Sequence, residues 1–127
     1  MDNLHIDLTK NTPKIDFDAT AGVLEFKGKS YPENSFEFYK PVQDWIDLYF
    51  KESTNKKTLV NFDINYLNSS SIKFYFDLFD MLETSAEGNM YIEIQWHYHA
   101  DDDMTLEVGE DFKEDYEDLN MILIEKQ

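Results

Sequence analysis

A two-layer α/β sandwich is what this sequence predicts: a mixed, four- to five-stranded sheet with helices on one face. Three observations carry that reading. The strand-like segments alternate apolar and polar side chains, the mark of a sheet with one buried and one wet face. A doubly wound sheet would instead give near-continuous apolar strands. Strand-like and helix-like segments also follow one another along the chain, which implies β-α-β crossovers and parallel neighbours. Finally, 127 residues of 42% apolar and 16% aromatic content are enough for one domain core, taken as residues 1–127.

The elements follow in order. Pro13–Phe17 and Val23–Lys27 read as short strands, with Ile15, Phe17, Leu24 and Phe26 inward. Asp18-Ala19-Thr20-Ala21-Gly22 is the turn of an opening hairpin. Gly28-Lys29-Ser30-Tyr31-Pro32 ends the second strand. A helix over 36–50 puts Phe38, Val42, Trp45, Ile46, Tyr49 and Phe50 on one stripe, capped by Asn34 or Ser35. Pro41 falls early in it or marks a later start. In 58–66 Val60, Phe62, Ile64 and Tyr66 point inward, and in 90–98 Ile92, Ile94, Trp96 and Tyr98 do.

Between those two strands a helix over 71–84 carries two apolar stripes. One is Ile72, Phe76, Phe79 and Leu82, the other Phe74, Leu78 and Met81. Such a helix is either enclosed by neighbours or exposes a patch for a partner. A third helix over 104–116 lines up Met104, Val108, Phe112 and Tyr116, with Gly109 weakening its middle. Met121–Ile124 is a last short strand.

Net charge is −16, from 27 acidic and 11 basic residues, so neither nucleic acid nor an anionic membrane is expected as a partner. Cysteine is absent, which removes disulfides and thiol chemistry. Met1-Asp2-Asn3-Leu4-His5 lacks the basic and apolar regions of a signal peptide, and no apolar run reaches membrane-spanning length. A cytoplasmic protein is the expectation. His97 and His99 share a strand face beside Asp101-Asp102-Asp103, a conceivable metal site, although the spacing is common and no further ligand set completes it. The ten acidic residues between Asp101 and Asp118 read as a solvated helix face or a docking surface for a basic partner. With no phosphate-binding glycine loop and no nucleophile elbow, neither an enzyme nor a cofactor is expected.

Ser69, in Tyr66-Leu67-Asn68-Ser69-Ser70-Ser71-Ile72-Lys73, stands where strand hands over to helix. A helix start offers unpaired N–H groups and a positive dipole end, so it accommodates a phosphate with little further machinery. Asn68, Ser69 and Ser70 are equally ordinary N-cap residues.

Three segments together resemble the SiaC family of bacterial regulatory phosphoproteins. They are Tyr31-Pro32-Glu33-Asn34-Ser35 leading to Asp44-Trp45-Ile46, the Tyr66–Lys73 run, and Trp96-His97-Tyr98 followed by Gly109-Glu110-Asp111-Phe112. The resemblance runs from about Leu4 to Leu119 and implies a fold similar to that of anti-sigma-factor antagonists, a STAS-like domain. It implies a non-enzymatic switch, phosphorylated by a SiaB-like kinase and dephosphorylated by a SiaA-like PP2C-type phosphatase. The unphosphorylated form would bind and activate a SiaD-like diguanylate cyclase, raising cyclic di-GMP and promoting biofilm. The acceptor implied is Ser69, where the family pattern has Thr, with Ser70 and Ser71 as alternatives. Asn68 and Lys73 would neighbour the phosphate. Partner contacts are then expected at Leu67, Asn68, Ser70, Phe74, Leu78 and Met81. A partner switch of the anti-sigma-antagonist kind, acting on transcription, is the alternative reading.

Overall fold

Alternating inward residues build one six-stranded sheet in the computed structural model, which describes residues 1–127. The elements are β1 (Leu4–Ile6), β2 (Lys14–Asp18), β3 (Val23–Ser30), α1 (Ser35–Glu52), β4 (Lys57–Leu67), α2 (Ser69–Ala86), β5 (Tyr91–His99), α3 (Asp103–Asp115) and β6 (Asn120–Lys126). Strand order in the sheet is chain order. The β1–β2 and β2–β3 pairs are antiparallel, and β3 through β6 run parallel. The two-layer class is as the alternation predicted, but the sheet has one strand more than the upper expectation. The extra strand is β1, whose three residues are too few to display a period and pair only because Leu4 and Ile6 meet Phe17 and Ile15.

The aromatic content has a structural destination. Phe26 of β3 stacks on Phe62 of β4 at 4.8 Å between ring centroids, and Phe62 reaches Phe79 of α2 and Trp96 of β5, each at 5.5 Å. Phe79 in turn stacks on Phe112 of α3 at 4.4 Å. These contacts join strands and helices through one apolar cluster of 22 buried residues.

Three expectations need correction. The second stripe of α2 is not an exposed patch: Phe74 and Leu78 are buried and Met81 half-buried. Tyr39 of α1 stacks on Phe74, and Phe112 of α3 covers Phe76 and Phe79, so α2 is the enclosed middle helix. Tyr66 points outward, because Gly28 pairs with Ile64 while Lys29 pairs with Tyr66, leaving Asn65 as an extra residue that reverses the parity of β4. In α3 the inward stripe is Thr105, Gly109, Phe112 and Tyr116, and Met104 lies 72% exposed. The helix α1, by contrast, follows expectation: Asn34 caps it, and Pro41 falls early inside it, on the exposed side.

Gly109, the residue that weakened the helical pattern, has a packing reason. A Cβ there would fall 2.5 Å from Trp96 Cδ1 and 2.6 Å from its Nε1. Only glycine lets α3 approach the sheet closely enough for Trp96 Nε1 to donate to Thr105 O at 3.0 Å.

Candidate functional site

At the end of β4 the chain passes into α2 through a single residue, Asn68. Its extended backbone makes it the N-cap, and its Oδ1 accepts from the Ser71 amide at 2.9 Å. Its own amide donates to Ser30 O at 3.0 Å, fastening the junction to the end of β3.

The three serines then meet different surroundings. Ser69 is exposed, and its hydroxyl enters no hydrogen bond within the chain. Ser70 is exposed too, but its Oγ lies 2.6 Å from Ser35 Oγ at the start of α1 and donates to Asn68 Oδ1 at 3.3 Å. Ser71 is fully buried. It belongs to a chain of hydroxyls that begins with Tyr75 Oη 3.2 Å from Tyr39 Oη and continues from Tyr39 to Ser30. Ser30 Oγ donates to Ser71 Oγ at 2.6 Å, and Ser71 Oγ donates to Ser30 O at 3.3 Å. Burial raises the pKa of Tyr39 and, further, that of Tyr75, so both donate as neutral phenols. As an acceptor, Ser71 is therefore inaccessible; sequence spacing gave no sign of this, because burial there is set by β3 and α1.

Around the exposed hydroxyl the helix start is flanked by two concavities. One, of about 220 Å³, lies between α1 and α2, with Ser35, Phe36, Lys40, Ser70, Lys73 and Phe74 on its walls. The other, of about 110 Å³, is mainly apolar and opens toward α3 beside Leu67, Ile72, Trp96, Met104 and Val108. Phe36 at 76% exposure and Met104 at 72% stand over these hollows. Neither was singled out as exposed from sequence; each lies in the first turn of its helix, where an apolar residue need not face the core. Lys73, one turn after Ser69, is exposed and belongs to no ion pair. Leu67 and Asn68 are half-buried and Ser70 exposed, whereas Phe74, Leu78 and Met81 spend most of their surface on the interior.

No histidine or carboxylate hydrogen-bonds the Ser69 hydroxyl, so nothing in the chain activates it as a nucleophile. His97 and His99 lie elsewhere, on the strand face away from the helices. The Nε2 of His97 is buried without a partner, and Asp102 is occupied in capping α3 through Thr105. No group of three or more histidine, cysteine or acidic side chains is arranged to hold a metal ion.

A family model described as SiaC family regulatory phosphoprotein matches residues 6–126. A curated relative, an uncharacterised protein of Pseudomonas aeruginosa strain UCBPP-PA14, is 38% identical over 115 residues, covering 91% of this chain and 90% of that protein. Among solved structures, SiaC of Pseudomonas aeruginosa superposes with a TM-score of 0.90 at 34% identity, covering 99% of this chain and all of that one. The same TM-score and identity relate the chain to a crystal structure of the diguanylate cyclase SiaD in complex with its activator SiaC, over 97% of this chain.

Proposed function

The chain belongs to the SiaC family of regulatory phosphoproteins, and from that premise we propose that it is a non-enzymatic switch acting on a diguanylate cyclase. In its unphosphorylated form it binds and activates the cyclase. Phosphorylation of Ser69 by a dedicated kinase ends the interaction, and a PP2C-type phosphatase restores it, all in the cytoplasm. The observation that carries this reading is the free, exposed hydroxyl of Ser69 in the first turn of α2, on a junction fastened by Asn68 and Ser71. A phosphate there adds roughly −1.5 to −2 charge. The open amides of the first turn and Lys73 can hold it without refolding the domain. The partner surface then comprises Leu67, Asn68 and Ser70 with the exposed ring of Phe36 and side chain of Met104. Phe74, Leu78 and Met81 act mainly by holding α2 in place.

The test is cyclase turnover with purified partner and three forms of this protein. Wild type and Ser69→Ala should activate equally, and kinase-treated wild type should not activate. Failure of folded Ser69→Ala to activate, or full activation by protein phosphorylated at Ser69, overturns the proposal.

A further inference from the structure

The bulge at Asn65 does more than misalign a strand: it turns Tyr66 out of the core, onto the sheet face that carries no helix. There its ring lies 5.5 Å from that of Tyr31, and both are exposed. Lys29, the ladder partner of Tyr66, and Lys10 stand beside them over an open hollow of about 410 Å³ whose walls also include Asn11 and Asn65. No acidic residue lines it. Neither lysine belongs to an ion pair; Lys27, Lys56, Lys73 and Lys113 are also unpaired, but none of these lines the hollow. The ledge is held in place, since the Tyr31 amide donates to Asn11 O at 2.7 Å.

We propose that this ledge docks an acidic segment of a partner protein, a carboxylate-rich stretch with an aromatic or proline ring that lies on Tyr31 and Tyr66. Charge complementarity selects that occupant. In a chain of net charge −16 without a single arginine, two unpaired lysines beside two exposed rings form a positive, ring-bearing spot. The hollow is shallow and open, shaped for a passing chain rather than for an enclosed small molecule. Its position also bears on the switch, and this clause rests on the proposed phosphorylation. Ser69 follows Tyr66 by three residues, at most about 11 Å of chain. That is close to the ~8–10 Å screening length of physiological salt, so a phosphate on Ser69 weakens the docking of a neighbouring acidic segment.

The probe is the peptide acetyl-Glu-Asp-Tyr-Pro-Asp-Glu-amide, titrated at about 0.15 M salt, where the long-range repulsion of the net −16 is screened, into the full-length, unphosphorylated, ¹⁵N-labelled protein. Saturable amide shifts are expected at Lys10, Lys29, Tyr31 and Tyr66. The Lys10→Glu, Lys29→Glu double variant should bind about tenfold more weakly, with the rest of its spectrum unchanged. Tyr66→Ser should weaken binding with both lysines intact. Absence of saturation, shifts centred elsewhere, or undiminished binding by the double variant overturns the proposal. So does guanosine monophosphate moving the same amides when the peptide does not, which would make the ledge a small-molecule site. The titration uses neither kinase nor cyclase, so it can fail while the Ser69 switch stands.

Discussion

Asn68 does two things at once: its side chain closes the first turn of α2 and its amide ties that turn to β3. Replacing it by Ala removes only the side-chain half, which is expected to cost about 1 kcal/mol. Asn68→Asp keeps an acceptor and should retain the stability. Urea unfolding of the two variants decides this, and equal losses would show that the cap contributes nothing. His97 makes a different prediction. Burial lowers its pKa below the ordinary 6.5, Asp63 opposes that shift, and Lys126 adds to it. The unfolded chain therefore takes up this proton at a higher pH than the folded one. The resulting stability is present above about pH 6.5 and declines as pH falls below it. A His97→Gln protein lacks that component, so wild type should lose more stability than the variant between pH 7 and pH 5. Parallel losses would mean that the sealed ring nitrogen is without thermodynamic consequence.

At the scale of elements, α3 depends on an absence. Alanine at Gly109 would gain roughly 1 kcal/mol in helix propensity. Its methyl, however, needs space now filled by the Trp96 ring, and overpacking of this kind typically costs ~1–3 kcal/mol. Gly109→Ala is expected to lower the urea midpoint and to disturb the near-ultraviolet dichroism of Trp96, whose Nε1–Thr105 bond is the first contact displaced. A raised midpoint with an unchanged Trp96 signal would refute it. Elements differ in how far the sequence alone reveals them. Strands β4 and β5 were legible because one buried face writes period two into the chain. The Asn68–Ser71 junction was legible because that period there gives way to a helical one. The bulge at Asn65 was not, since it exists only relative to β3, and strict alternation in β4 puts Tyr66 inward. Nor could the two stripes of α2 declare their fate, which depends on how many helices lie beside it. The hydroxyl chain that buries Ser71 joins residues 41 positions apart, Ser30 and Ser71, beyond any local pattern.

For the whole molecule, charge is the governing imbalance. Seven contacts pair a basic with an acidic side chain, two of them through His5, and in four of the seven both side chains are more than half exposed. Exposed pairs contribute ~0–1 kcal/mol each, too little to offset the mutual repulsion of 27 acidic residues carrying a net −16. The repulsion is concentrated where ten carboxylates fall between Asp101 and Asp118. Both effects are screened by salt, but their ranges differ. An ion pair acts across one contact, whereas repulsion sums over distances that a Debye length of ~30 Å at 0.01 M still transmits and one of ~8 Å at 0.15 M does not. Raising salt over that interval should therefore stabilise the protein, with the thermal midpoint moving upward although the ion pairs weaken. Adding a phosphate to Ser69 should make the midpoint more salt-dependent, because it deepens the same imbalance. A midpoint that falls with salt would show instead that local pairing outweighs global repulsion, and the acidic surface would have to be understood as a set of neutralised sites.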